Sequence, residues 1–132
     1  MKQEYPLRLD SYFYVYNQIT PNPKYATQEP LDLDFKISAR IHETAESIDC
    51  LVQLDIAPEN TGNFPYAGMI RIYGVFKPDN TLNNEAAVEL VRSTGANILV
   101  GALREKLMSE TSTGPFPPLF LPPVMQSEIE FV

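Results

Sequence analysis

Residues 31–56, LDLDFKISARIHETAESIDCLVQLDI, decide the fold because apolar and polar side chains alternate through most of this stretch. In residues 31–43 the apolar row is Leu31, Leu33, Phe35, Ile37, Ala39 and Ile41. A period of two indicates a β-strand with one buried face and one face in water. Residues 48–56 alternate in the same way, and residues 43–46 between them read as a turn. The sequence therefore predicts an antiparallel hairpin.

Two further strands flank this hairpin. Residues 7–16 alternate, and the row opposite the apolar one is Arg8, Asp10, Tyr12, Tyr14 and Tyr16. Residues 17–30 contain three prolines, which remove donors and fix φ, so we expect a long loop there. Residues 67–77 predict a fourth strand, in which Gly74 indicates a bulge or the close approach of another backbone.

After residue 80 the period changes to that of a helix. Residues 82–93 are helical in pattern, Thr94 and Gly95 interrupt them, and residues 97–111 predict a helix with Asn97 as its N-cap. The tail from Pro115 is too rich in proline for a regular helix, and residues 126–132 are compatible with a short strand.

Strands followed by helices are typical of an α+β fold. We predict one domain over residues 1–132. It has a four-stranded antiparallel sheet, a long helix packed on one face, and a proline-rich C-terminal segment.

Charge and cysteine content narrow the classes of function. Seventeen acidic residues against ten basic ones give a net charge of -7, which disfavours nucleic acid and anionic membrane surfaces as partners. The acidity serves either solubility or attraction of a basic partner. The first twenty residues lack a signal-peptide pattern, and no stretch approaches the roughly 18 apolar residues of a membrane span. Cys50 is the single cysteine, so we expect no internal disulfide and a cytoplasmic location.

The sequence offers no catalytic constellation. His42 and Cys50 do not make a zinc set, and the glycines form no phosphate loop. The paired carboxylates, such as Asp32 and Asp34, are most simply a solvated face. We therefore expect no enzyme activity, no metal and no cofactor.

The aromatic residues are more informative. Tyr12, Tyr14 and Tyr16 share one predicted face of the first strand, and Tyr25 lies in the loop that follows. Apolar rings with polar tips are common where a protein meets a partner. The row either binds polypeptide or is covered by the chain's own tail or a second subunit.

Residues 97–124, NILVGALREKLMSETSTGPFPPLFLPPV, resemble the SecB protein-export chaperones. The resemblance lies in an Asn-Ile-Leu helix start and a Gly-x-Phe-Pro-x-Leu-x-Leu-x-Pro-Val segment. The residues of that segment here are Gly114, Phe116, Pro117, Leu119, Leu121, Pro123 and Val124.

The resemblance implies an ATP-independent holdase that binds unfolded polypeptide or preprotein in grooves with aromatic and aliphatic walls. It also implies a homo-oligomer, a dimer or a tetramer, in which the first strands pair edge to edge. The residues that we expect to contact the client are Tyr12, Tyr14, Tyr16, Tyr25, Phe116, Leu119 and Leu121.

The family's partner, the SecA motor, docks on acidic positions of the sheet. Asp10 matches the first of these, whereas Tyr14 and Leu51 stand where the family has glutamates. The sequence therefore leaves two alternatives open: a SecB-like chaperone dedicated to one client, such as a toxin–antitoxin pair, and an interaction subunit with one folded partner.

Overall fold

A computed structural model describes residues 6–132 of the chain. One sheet carries five strands in the order β1-β4-β3-β2-β5, and a long helix packs on one of its faces. The strands are β1 (Leu7–Pro21), β2 (Phe35–Glu43), β3 (Ile48–Ile56), β4 (Tyr66–Pro78) and β5 (Ile129–Phe131). The helices are α1 (Asn84–Leu90) and α2 (Ala96–Ser112), joined by a π-helical turn (Val91–Gly95), and a 3-10 turn (Gln126–Glu128) precedes β5.

This arrangement confirms the α+β class and corrects the sheet. The prediction of a four-stranded antiparallel sheet was wrong because the proline-rich tail returns to the sheet. Ile129–Phe131 pairs with β2 in parallel, which makes the sheet five-stranded and mixed. A strand of three residues is too short for its period to specify a parallel partner.

The predicted β2–β3 hairpin is present, with Phe35 opposite Ile56 and Glu43 opposite Ile48. However, β2 begins at Phe35 rather than at residue 31. Leu31 is 56% exposed, and the Asp32 N–H donates to the carbonyl of Asn63 at 2.8 Å. The alternating pattern therefore extends four residues beyond the strand.

The first strand is longer than predicted and is irregular. β1 continues through residues 17–21, where the sequence predicts the start of a loop, and it pairs with β4 over its whole length. Its register shifts between Leu9 and Ser11 and again between Tyr14 and Tyr16. Because each bulge adds one unpaired residue, the alternation of faces changes phase twice.

The helix is also more continuous than the sequence predicts. Its N-cap is Asn83, whose Oδ1 accepts from the Ala86 N–H at 2.8 Å. Asn97, the predicted cap, lies inside the helix and donates its Nδ2 to the Ser93 carbonyl at 3.1 Å. Thr94 and Gly95 do not interrupt the helix, since they belong to the π-helical turn. A Cβ on Gly95 would lie 3.0 Å from the Phe76 ring, so glycine permits this close packing.

The tail is fixed to the core by two buried side chains. The hydroxyl of Tyr66 accepts a hydrogen bond from the Phe116 N–H at 3.0 Å and donates one to the Phe116 carbonyl at 3.1 Å. The Thr111 hydroxyl accepts from the Leu119 N–H at 2.8 Å. The tail is therefore part of the packed domain.

The helical stretch Asn84–Ser112 is 29 residues long and reaches a mean hydropathy of 1.2, which by length and composition suffices to cross a membrane. This differs from the expectation that no stretch approaches such a span. Leu99, Leu103 and Leu107 on this stretch are fully buried against the sheet, which accounts for the apolar composition.

Candidate polypeptide-binding surface

The most exposed row of apolar side chains lies on β1, at the edge of the sheet. β1 pairs with β4 on one side, and no strand within residues 6–132 covers its other side. Four consecutive or near-consecutive side chains are about half exposed: Tyr12 (51%), Phe13 (51%), Val15 (47%) and Tyr16 (43%). A long, apolar, unpaired edge strand is a template for pairing with another chain.

The two bulges divide the tyrosine row between the faces of the sheet. Tyr12 is opposite Gly74 and Tyr14 is opposite Ile72, so both face the helix. Tyr16 is opposite Arg71 and faces away from it. The expectation that all three lie on the face away from the core is wrong for Tyr12 and Tyr14, because the first bulge reverses their side.

A cleft of about 450 Å³ separates β1 from the first half of α2. Its lining residues are Leu9, Tyr12, Ile98, Leu99, Gly101, Ala102, Arg104 and Glu105. Ile98 is 46% exposed, and a Cβ on Gly101 would meet no atom within 4 Å. The cleft thus has an apolar wall, open space beside the helix and two charged side chains in its lining, Arg104 and Glu105.

Tyr14 fixes β1 against α2 at one end of this cleft. Its hydroxyl donates to the Ala102 carbonyl at 3.1 Å, and the Lys106 ammonium lies 5.1 Å from its ring centroid. Burial, with smaller effects of Tyr12 and Glu105, raises the pKa of Tyr14. The hydroxyl therefore remains a neutral donor, and the ring of Tyr12 packs edge-on against it with centroids 6.4 Å apart.

A second link joins the strand and the helix further along. The Asn17 amide donates to Glu110 at 3.1 Å, and the same carboxylate pairs with Lys106 at 3.0 Å. The hydrogen bonds from Lys106 and then Asn17 lower the pKa of Glu110. These polar contacts hold β1 in place while its aromatic side chains stay exposed.

Tyr25 and Phe116 form a second aromatic cluster near the C-terminal end of α2. Their ring centroids are 5.0 Å apart, and the ring of Tyr66 lies 5.8 Å from that of Phe116. Both Tyr25 and Phe116 are half-buried. The structure therefore brings these two predicted residues together, but separately from Tyr12 and Tyr14.

Two of the predicted client-contacting residues belong to the core. Leu119 is 5% exposed and Leu121 is 4% exposed, so the expectation that they are presented to a client is wrong. The chain between them is extended, so Phe120 points outward and is 65% exposed. The sequence analysis missed Phe120, although alternation along an extended segment would have placed it opposite its neighbours.

Asp10, the predicted docking residue, lies at the first bulge of β1. It is exposed and forms an ion pair with Arg8 at 3.4 Å. No group of three or more His, Cys, Asp or Glu side chains that could hold a metal occurs within residues 6–132. The Cys50 thiol is buried, which raises its pKa to about 12 and keeps it protonated at neutral pH.

No protein-family model and no curated protein matches the sequence. Among solved structures, the chain is similar to the Mycobacterium tuberculosis SecB-like chaperone Rv1957, solved in complex with a ChAD peptide from the HigA1 antitoxin. The TM-score is 0.72, the identity is 14%, and the match covers 90% of this chain and 91% of that one. A protein of unknown function from Streptococcus agalactiae aligns with a TM-score of 0.44 and 11% identity, over 88% of this chain and 96% of that one.

The chain therefore has the fold of a SecB-like chaperone, as the motif in residues 97–124 had implied.

Proposed function

We propose that this protein is an ATP-independent chaperone that holds unfolded polypeptide along β1 and the adjoining cleft. The observation that carries the proposal is the row of half-exposed side chains on an unpaired edge strand, Tyr12, Phe13, Val15 and Tyr16. The fold shared with a SecB-like chaperone that was solved with a bound peptide supports the same function.

The edge of β1 suits a client that has no fixed structure. An unfolded chain exposes unpaired N–H and C=O groups, which an extended edge strand can satisfy whatever the client's side chains are. Hydrogen bonds to the backbone supply affinity without demanding a sequence, as a general holdase requires.

The cleft supplies the apolar part of the interaction. Tyr12 and Ile98 line it and are about half exposed, and Gly101 leaves room beside the helix. Burial of apolar client side chains against such walls depends on area rather than on register. Glu105, which also lines the cleft and is exposed, gives the client's polar groups a charged partner next to water. The Arg104 guanidinium donates to the carbonyls of Leu121 and Pro122 at 3.1 and 3.3 Å.

A homo-oligomer, either a dimer or a tetramer, is part of the proposal. The same free edge of β1 that suits a client also suits a second copy of the chain, since antiparallel pairing of two identical strands closes the edge. If two β1 edges pair in this way, the client can bind only in the cleft and to the side chains on the two faces of the sheet. Sedimentation with and without an unfolded client distinguishes the two uses of the edge.

A chaperone dedicated to one client is the second candidate. The structurally similar chaperone was solved with an antitoxin peptide, which favours a toxin–antitoxin client over a broad range of preproteins. Affinity purification that returns one stoichiometric protein, together with no binding of generic unfolded chains, would favour this candidate or an interaction subunit with one folded partner.

Recruitment of SecA and a role in protein export remain finer proposals. Asp10 is exposed, but a basic SecA segment must displace Arg8 to reach its carboxylate. We therefore expect weak SecA binding that Arg8→Ala strengthens, measured by surface plasmon resonance. A cytoplasmic location, which the single cysteine predicts, is checked by cell fractionation.

Light scattering of a slowly refolding client tests the main proposal. A stoichiometric excess of the protein should suppress client aggregation without ATP, and Tyr12→Ser should reduce that suppression. The matched control is Leu31→Ser, because Leu31 is 56% exposed but is not among the residues that line the cleft. No suppression by the unmodified protein contradicts the proposal, and equal loss in both variants contradicts the choice of site.

A further inference from the structure

The face of the sheet opposite the helix has a composition of its own. The strand pairing determines which side chains lie on this face, because directly opposed residues of paired strands project from the same face. Across the middle of this face run Phe13, Tyr73 and Leu51, opposed in pairs from β1 through β4 to β3. Phe13 stacks on Tyr73 with centroids 5.4 Å apart and an interplanar angle of 28°. Phe13 is 51% exposed, and Tyr73 and Leu51 are half-buried.

Basic residues concentrate on the same face. Five of the chain's ten lysines and arginines project from it, namely Arg8, Lys36, Arg40, Arg71 and Lys77. Two of them are neutralised, since Arg8 pairs with Asp10 and Lys36 pairs with Glu130 at 3.8 Å.

The other three cations have no carboxylate within ion-pair distance among residues 6–132: Arg40, Arg71 and Lys77. Arg71 is held by a neutral group, because its Nε and Nη2 donate to the Gln53 side-chain oxygen at 3.1 and 2.8 Å. Two further carboxylates lie on the same face. Asp49 is buried and is hydrogen-bonded by Tyr73 and Ser47. Asp55 is half-buried and accepts from the Gln53 Nε2 at 3.0 Å.

Arg40 and Arg71 meet at a shallow hollow of about 240 Å³ beside the aromatic band. Its other lining residues are Ser38, Ala39, Leu51, Gln53 and Val132. The result is a partly apolar surface on which Arg40, Arg71 and Lys77 have no carboxylate within ion-pair distance among residues 6–132, on a chain whose net charge is -7.

We propose that this outer sheet face is a docking surface for an acidic polypeptide segment that also carries apolar side chains. Carboxylates of the partner pair with Arg40, Arg71 and Lys77, and its apolar side chains cover Phe13, Tyr73 and Leu51. Guanidinium groups bind carboxylates with two parallel hydrogen bonds, which favours a carboxylate-bearing partner. The surface lies on the face of the sheet opposite the β1–α2 cleft, and it shares Phe13 with the client-holding row of β1. Arg40 lies on β2 and is not part of that row, so a test at Arg40 separates the two proposals.

Charge argues against two other occupants. A nucleic acid would bring a dense row of phosphates to a chain of net charge -7 that offers three uncompensated cations on this face. A second copy of the same face would place cations against cations, which repel each other. An acidic polypeptide segment brings carboxylates that can pair with these three cations, and it lacks the dense row of phosphates of a nucleic acid.

A peptide-binding titration tests the inference with the full-length protein. The probe is a synthetic peptide in which glutamate alternates with leucine and which contains one tryptophan. Since the protein has no tryptophan, the fluorescence anisotropy of the probe reports binding alone. The same peptide with lysine in place of glutamate is the charge control.

We expect the glutamate peptide to bind roughly tenfold tighter than the lysine peptide, and raised salt to weaken it. Arg40→Glu should weaken binding of the glutamate peptide roughly tenfold. Arg40 is exposed and its side chain makes no hydrogen bond within residues 6–132, so this variant should fold. Lys24→Glu, in the loop after β1, changes the net charge equally and should have little effect.

Three results would overturn the proposal. The first is equal affinity for the two peptides, or equal effects of Arg40→Glu and Lys24→Glu. The second is tighter binding of a single-stranded oligonucleotide than of the glutamate peptide. The third is a change of sedimentation coefficient in Arg40→Glu, which would identify a second copy of the chain as the occupant.

Discussion

Thr111 fastens the proline-rich tail to the last turn of α2, and replacing it by valine tests whether the tail is a packed part of the fold. The Thr111 side chain is fully buried. Its hydroxyl donates to the Leu107 carbonyl at 2.8 Å and accepts from the Leu119 N–H at 2.8 Å. Valine keeps the volume and the β-branch but removes both hydrogen bonds.

The two lost hydrogen bonds differ in cost. The Leu107 carbonyl still accepts an intrahelical N–H, whereas the Leu119 N–H is left buried without a partner. An unsatisfied buried donor costs about 1–3 kcal/mol, so Thr111→Val should lower the free energy of unfolding by that amount. For a chain of 132 residues this corresponds to a fall in Tm of roughly 4–11 °C.

Urea unfolding gives the free energy, and amide hydrogen exchange locates the effect. The Leu119 N–H should exchange faster in Thr111→Val, and it should remain protected in Thr111→Ser, which keeps the hydroxyl and loses only a methyl group. The reasoning is refuted if Thr111→Val is as stable as the unmodified protein, or if the Leu119 N–H exchanges freely before any substitution.

Three further predictions follow from burial, backbone geometry and pH. Leu121→Ala should lower the free energy of unfolding in urea by about 2–5 kcal/mol because the side chain is 4% exposed. Phe120→Ala should leave the free energy of unfolding nearly unchanged. Equal losses in the two variants would contradict the inward placement of Leu121 and the outward placement of Phe120. Gly68→Ala should destabilise the protein by more than about 1 kcal/mol, measured as a lower Tm, because φ is 154° and a Cβ would clash with the backbone of β1. An unchanged Tm would contradict this close approach of β4 to β1. The hydrogen bond to Asp49 raises the pKa of Tyr73 to about 12, so the folded state keeps a proton that the unfolded state loses near pH ~10. Stability should therefore fall between these two pH values and fall less in Tyr73→Phe, and identical pH profiles of unfolding would contradict this.

The sequence predicts the regular part of the fold well because burial there has a clear period. In β3, Cys50, Val52 and Leu54 are fully buried, as alternation requires. Leu99, Leu103 and Leu107 recur at helical spacing, and α2 buries them on the sheet. The motif from Gly114 to Val124 implied the SecB-like fold that the structural comparison shows.

The candidate site was harder to predict because it depends on irregular features. Each bulge in β1 is a single extra residue, and no residue type marks it, so strict alternation misplaced Tyr12 and Tyr14. The contacts of the tail depend on partners distant in sequence, such as Tyr66 for Phe116. Periodicity carries no information about such contacts, so it does not reveal that Leu119 and Leu121, which the resemblance implies as client-contacting residues, are buried.

The central claim is that exposed aromatic side chains on β1 hold polypeptide that has no fixed structure. Its most direct test is a fluorescence titration with a permanently unfolded, tryptophan-bearing polypeptide and, in parallel, the folded form of that polypeptide. Because the protein lacks tryptophan, any blue shift comes from the client. The account predicts a saturable blue shift for the unfolded form alone, weakened in Tyr12→Ser but not in Leu31→Ser. Absence of binding to the unfolded form, or equal binding of both forms, would contradict it.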